Sequence, residues 1–370
     1  MAKRRGCRTV CDNTCAKAHD SQCSDGWLGD DSPEGKASCN LGTDCADCGA
    51  RDVCPVAGTS SLMLPHDVLL PAAAMLRASQ VLFVILGSSK FVPKSKRAYS
   101  SWCRSVRSVR CLFVADDDPP LDKASVADDP MPWLTVGSSQ PPRHCCEKKP
   151  GSQRRNSGFF CTPHRLKTLR AQYRFLPALL HVQNSAALRS DAFQWIVLVD
   201  DDAFVFVPRL LWILSRLDSS RAIYAGDFGS SGEATAIGIP HFACGGGGSV
   251  LSVAALRRMN ISDCLASYHV RCMQSDWMIG GCVRRHQVAE LRDLGCGTCD
   301  PKRLKEEAYR ATVRQRLKDD RCFFMQNAVP FARDLPLGRH SGAIVHGFDR
   351  EATWGFFRKH NTTTSRVSLA

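Results

Sequence analysis

Three consecutive aspartates, Asp200, Asp201 and Asp202, end the apolar run Trp195-Ile196-Val197-Leu198-Val199. Like charges on neighbouring residues repel, and a bound divalent cation reverses that penalty. In extended chain Asp200 and Asp202 point to one side and Asp201 to the other. An Asp-x-Asp pair so placed can hold a hard cation such as Mn²⁺ or Mg²⁺ and leave coordination positions open for a diphosphate. The plain alternative is a surface acidic turn or a helix N-cap. The buried strand before the triplet and the extended run Phe204-Val205-Phe206-Val207 after it favour the cation site. A second triplet, Asp116-Asp117-Asp118, is followed by Pro119-Pro120, and a turn is at least an even reading there.

Two further residues can take part in chemistry. Asp276, in Gln274-Ser275-Asp276-Trp277-Met278-Ile279-Gly280, precedes a bulky apolar turn. A carboxylate there can act as a general base toward an acceptor hydroxyl, or it can cap a helix. His346, in Ile344-Val345-His346-Gly347-Phe348, can complete a metal site through an imidazole nitrogen, or serve as a structural histidine. The run Gly245-Gly246-Gly247-Gly248-Ser249 fits neither the dinucleotide-binding nor the P-loop pattern. Flanked by Phe242 and by Val250-Leu251, it reads as packed backbone that lets a substrate approach where any Cβ would intrude.

The elements that position these residues alternate between strand and helix, as in a layered α/β domain. Residues 81–86 form a continuous apolar strand ended by Gly87-Ser88-Ser89. A basic helical stretch follows through Lys94, Arg97 and Trp102, then a strand at 111–114. Residues 119–160, rich in Pro, Ser, Lys and Arg, read as a surface excursion. Helical spacing returns at 164–182 through Leu166, Leu169, Tyr173, Leu176 and Leu180. After the triplet, Pro208 opens a helix striped by Leu210, Leu211, Leu214 and Leu217. A strand at 222–224 leads to Gly226, an apolar stretch covers 250–256, and residues 302–320 read as a solvated helix of alternating charge.

The bulk composition sets the compartment. Of 370 residues, 49 are Lys or Arg and 36 are Asp or Glu, a net charge of +13 without a long basic block. Such a surface suits solubility or anionic ligands, including phosphate-bearing substrates, and does not call for nucleic acid. Twenty cysteines, eight of them within the first 54 residues, point to disulfides and an oxidising compartment. Calcium on the acids of that first segment is an alternative, and zinc lacks a matching second Cys-x-x-Cys. The start, Met1-Ala2-Lys3-Arg4-Arg5, has no apolar segment behind it. We read the chain as starting downstream of a missing signal or anchor, rather than as entering the secretory route unconventionally. Residues 1–55 are then a cysteine-rich module, 56–78 a linker, 79–360 the α/β domain and 361–370 a tail. Sequons stand at Asn260 and Asn361.

Taken in order, these pieces resemble the Fringe-like and core-1 β-1,3-galactosyltransferase-like enzymes of glycosyltransferase family 31. The resemblance covers residues 81–348 and rests on four stretches. They are Trp195 to Phe206, Tyr224-Ala225-Gly226, His241-Phe242-Ala243-Cys244-Gly245-Gly246, and Ser275-Asp276-Trp277-Met278-Ile279-Gly280. Weaker echoes are Trp102, Asp116 and Lys167. It implies a GT-A fold, an α/β/α sandwich that binds a UDP-sugar with Mn²⁺, or Mg²⁺ in its place. It makes Asp200, Asp202 and His346 the metal ligands and Asp276 the catalytic base. It puts Gly87, Ser88, Asp116, Asp200, Asp201, Gly245, Gly246 and Gly247 around the donor. The implied reaction inverts the anomeric centre, moving a hexose or N-acetylhexosamine to a glycan or glycoprotein hydroxyl, as a β-1,3 linkage, in the Golgi lumen. The chain departs from the family pattern at Gly247-Gly248-Ser249 and at Ser275, where an acid is common. A catalytically degenerate, carbohydrate-binding relative is the alternative, and a metal-dependent phosphodiesterase or nuclease ranks third.

Overall fold

A computed structural model describes residues 8–10, 51–53, 76–87, 92–104, 106, 108–115, 131–136, 173–190, 192–269, 273–319, 321–326 and 343–346. The chain divides into two compact units, residues 1–63 with 230–242, and residues 64–229 with 243–370. In the first, strands β1 (Arg8–Val10) and β2 (Arg51–Val53) pair antiparallel, and a short helix spans Gly232–Ala236.

The second unit holds a seven-stranded sheet. Its strands are β3 (Val81–Leu86), β4 (Arg110–Ala115), β5 (Trp133–Thr135), β6 (Trp195–Asp200), β8 (Ile223–Gly226), β11 (Ser249–Ser252) and β12 (Ala289–Leu291), in the order β12-β8-β11-β6-β3-β4-β5. The neighbours β6, β3, β4 and β5 are all parallel, and β11 is antiparallel to both β6 and β8. Central parallel strands are covered on both faces, which is why β3 and β6 are unbroken apolar runs. Phe83, Ile85, Val197 and Val199 face a cluster with Trp102, Leu210 and Leu214. On the opposite face, the Phe175–Asn184 helix packs on β3 and on the helices Val253–Arg258, Ile261–Cys264 and Ser275–Arg285.

From β3 the chain moves outward through β4 and β5, and β6 then returns to the other flank of β3. Such a reversal opens a crevice at the carboxyl ends of the two strands, where ligands of open α/β sheets bind. A second sheet closes beside it: β7 (Ala203–Val205), β13 (Phe324–Met325) and β14 (Ile344–His346), in the order β13-β14-β7. The two-residue strands β9 (Phe228–Gly229) and β10 (Phe242–Ala243) complete the strands of the described residues.

Several expectations change in detail. The 119–160 excursion contains β5, whose Trp133 packs 5.5 Å from Phe113 at the sheet edge. Extension after the triplet stops at Val205, and the next helix runs Val207–Leu214 with Pro208 in its first turn. The apolar stretch 250–256 splits at Ser252, whose hydroxyl accepts from Ala255 N–H and caps the Val253–Arg258 helix. The charged stretch 302–320 is a 3-10 turn (Arg303–Lys305) and a helix (Glu307–Lys318), and it buries Leu304, Val313 and Leu317 rather than lying fully solvated. Four disulfides occur among the described residues: Cys103–Cys111, Cys244–Cys299, Cys264–Cys282 and Cys296–Cys322. No helix among the described residues is long and apolar enough to cross a membrane.

Candidate functional site

β3 and β6 end together, with Leu86 opposite Asp200. The N–H of Asp201 donates to the Leu86 carbonyl at 3.3 Å, so the chain turns over the end of β3 before β7 begins at Ala203. Asp201 and Asp202 therefore lie in a turn and not in extended chain. The triplet still divides its side chains two ways. Asp201 accepts a hydrogen bond from Ser95 Oγ at 2.8 Å. Asp202 meets Lys94 Nζ at 3.1 Å through one oxygen and His346 Nε2 at 3.0 Å through the other.

His346 reaches this point because β14 pairs with β7 and sets His346 opposite Ala203, one residue beyond Asp202. Its Nδ1 lies 2.9 Å from the Gln326 carbonyl, an acceptor only, so Nδ1 carries the hydrogen and Nε2 is turned to the acids. Metal-binding histidines are commonly oriented by this kind of contact. One ligand atom each from Asp200, Asp202 and His346 lie within 4.8 Å of one another. Cys264, Cys282 and His286 cluster similarly, but those two cysteines are joined in a disulfide and offer no thiolate.

Burial and the crowding of acids shift the titration of the site. Burial and then the charge of Asp202 push the Asp200 carboxyl up to about 7. Burial and Asp202 likewise push Asp201 up to about 7, against the hydrogen bond from Ser95. Burial also acts upward on Asp202, but the hydrogen bond and charge of His346, and then Lys94, hold it well below the usual carboxylate range. Burial pulls His346 down, and its contact with Asp202 outweighs that and raises it to about 9. Lys94 is lowered by burial and raised on balance by Asp202. Two carboxylates that already draw Lys94, with the His346 imidazole nitrogen beside them, are a donor set that a hard divalent cation fits.

The glycine run borders the same place as a 3-10 turn at Gly245–Gly247. A Cβ on Gly246 would lie 2.7 Å from the His346 ring, and one on Gly247 would lie 3.0 Å from the backbone nitrogen of Gln326. The run is thus shaped by close approach to the protein's own His346 and Gln326. Gly87 is similarly tight, between Ser95 Oγ and Trp133. Asp276, in the first turn of the Ser275–Arg285 helix, accepts from Trp277 N–H at 2.9 Å and Gly245 N–H at 3.4 Å. Burial raises its carboxyl to about 6, against those two donors.

Residues 162–292 match the family model described as Fringe-like. The chain carries a Fringe-like region. It includes Asp200 to Asp202, the glycine run and Asp276, while Gly87, Lys94, Ser95, Gln326 and His346 lie outside it. The chain is similar to beta-1,3-glucosyltransferase of Mus musculus, 38% identical over 82 residues, which is 22% of this chain and 15% of that protein. It is similar to the Homo sapiens beta-1,3-glucosyltransferase, 36% identical over 86 residues (23% and 16%). Chondroitin sulfate synthase 3 of Mus musculus is 32% identical over 102 residues, 26% of this chain and 11% of that protein. The matches thus span far less than two thirds of each relative's length.

Among the sequence-derived site residues, the fold brings Asp200, Asp202 and His346 together, with Asp201 and Gly246 against them, Gly247 against Gln326 and Asp276 beside Gly245. Ser88, Asp116 and Lys167 lie outside the described residues. Sequence reasoning passed over Ser95 and Gln326, which hold the Fringe-like region's acids and His346 from outside it. It read Lys94 only as part of a basic helix. Asp227, directly after β8, was legible as a strand-end acid but was not singled out.

Proposed function

We propose that this chain is a GT-A-type glycosyltransferase that inverts the anomeric centre. It moves a hexose or N-acetylhexosamine from a UDP-sugar to a hydroxyl of a glycan or glycoprotein, as a β-1,3 linkage, with Mn²⁺ or Mg²⁺. The observation that carries this reading is the meeting of Asp200, Asp202 and His346 at the carboxyl ends of β3 and β6. The family match over 162–292 and the names of the relatives support it. The four disulfides support a place in the secretory pathway, and the Golgi lumen is the compartment that the family resemblance implies.

Asp200, Asp202 and His346 Nε2 would hold the divalent cation, which would supply charge stabilisation to a departing diphosphate. Asp276 takes the proton of the acceptor hydroxyl. The hydroxyl oxygen then bonds to the anomeric carbon as the bond to the diphosphate breaks, and UDP leaves with the electron pair. Lys94 supplies an ammonium at the rim of the same acids. One carboxylate suffices here, because the leaving group needs no protonation, unlike most glycoside hydrolysis. The test is a screen of UDP-sugars for hydrolysis and transfer, with and without Mn²⁺, on the wild type and Asp202→Ala. Metal-dependent turnover lost in Asp202→Ala supports the reading, and full turnover in that variant ends it.

A further inference from the structure

The carboxylate of Asp227 is fully buried, as is Thr298, and neither belongs to the set gathered above. Asp227 accepts from Gly297 N–H at 2.6 Å, Thr298 N–H at 2.9 Å, the Thr298 hydroxyl, and Gln326 N–H at 3.1 Å. Gln326 N–H is shared with Thr298 Oγ1 at 2.8 Å. The side chain of Gln326 accepts from Gly247 N–H. Its carbonyl accepts from His346 Nδ1. Residue 326 is therefore pinned at its nitrogen and its side chain, and what it presents at its carbonyl is the contact that orients His346.

We propose that Asp227 is a positioning residue for the cation site. By anchoring the backbone of Gln326 it places the carbonyl that keeps the hydrogen of His346 on Nδ1 and turns Nε2 toward Asp202. The inference rests on the reading of Asp200, Asp202 and His346 as metal ligands. A carboxylate suits this place because it alone, among uncharged and acidic side chains of this size, accepts four hydrogen bonds and brings no donor. Asparagine would set an NH₂ group against at least one of these N–H or O–H donors. Burial makes every lost contact expensive. Space is equally restricted, since a Cβ on Gly295 would lie 2.7 Å from Asp227 Cα. Outer contacts of this kind typically alter metal affinity by about 10–100-fold.

The experiment titrates the full chain with Mn²⁺ alone and follows free Mn²⁺ by electron paramagnetic resonance, with circular dichroism to check folding. Asp227→Asn is expected to weaken Mn²⁺ binding about tenfold, and Thr298→Val to weaken it less, in the same direction. In a His346→Ala background, Asp227→Asn should change the affinity by no more than about twofold, because its route to the metal is gone. Wild-type affinity in folded Asp227→Asn, or an equal loss in the His346→Ala background, overturns the proposal. If Asp227→Asn does not fold, Thr298→Val and its pair with His346→Ala complete the same cycle. A wild-type chain that binds no Mn²⁺ defeats the metal reading itself, whereas binding with an additive cycle defeats this inference alone.

Discussion

The imidazole of His346 fills the space into which a Cβ on Gly246 would project, with ring carbons 2.7 Å from that position. Among the described residues no such barrier exists one residue earlier, where a Cβ on Gly245 would meet Asp276 Cβ at 3.9 Å. Gly246→Ala must therefore push the ring away from Asp202, at about 1–3 kcal/mol for overpacking, while Gly245→Ala needs no movement. Mn²⁺ affinity and sugar transfer should both fall about tenfold or more in Gly246→Ala, and Gly245→Ala should retain most of each. Equal behaviour of the two variants would mean that the glycine run serves something other than His346.

Asp276 lies in the first turn of the Ser275–Arg285 helix. Burial raises its carboxyl to about 6, and a general base works in its ionised form, so kcat/KM should climb with pH through about 6 and then level. Asp276→Asn removes the base but keeps the shape, and turnover should drop by about 10²–10⁴-fold. Mn²⁺ binding, measured separately, should survive, since Asp276 is not among the three clustered ligands. Transfer that persists in Asp276→Asn at a tenth of wild type or better would move the base elsewhere.

Much of the frame was legible because β3 and β6 are continuous apolar runs of six and five residues ending on glycine or acid, a pattern that a buried parallel strand requires. The acidic tip and Asp276 could be marked for the same reason: polar groups next to long apolar stretches stand out. The neighbours of Gly246 had no such signal. Its tight contact is with a residue 100 positions later, so close approach was legible but its object was not. β5 and β14 were hidden by length, since three residues show no alternation, and His346 was readable as a ligand chiefly through resemblance. Asp227 escaped because its donors, at Gly297, Thr298 and Gln326, stand 70 to 99 positions later and leave no pattern around it in the sequence.

Mn²⁺ binding should strengthen with pH. His346 keeps its proton up to about 9 and Asp200 up to about 7, and both protons must leave before these atoms can act as ligands. The sign is therefore favourable to metal as pH rises, on the order of tenfold per pH unit where one proton is released. The slope should level off above about 9, once His346 is neutral. Titrations at pH 6, 7.5 and 9 measure it, and His346→Gln should flatten the upper part. An affinity independent of pH over that range would show that neither group binds the ion.

The disulfide Cys244–Cys299 joins the residue before Gly245 to the residue after Thr298, so it ties the glycine run to the segment that holds Asp227. Cys264–Cys282 instead links the Ile261–Cys264 helix to the Ser275–Arg285 helix. Their loops close over separations of 55 and 18 residues. Chain entropy then assigns about 4 kcal/mol to the first and about 3 kcal/mol to the second. Paired serine variants should lose stability in that order by denaturant unfolding. Only Cys244→Ser/Cys299→Ser should also weaken Mn²⁺ binding, because only it frees both Gly245 and Thr298. A variant of that pair with full Mn²⁺ affinity would show that the hydrogen bonds of Asp227 hold the segment without the covalent tie.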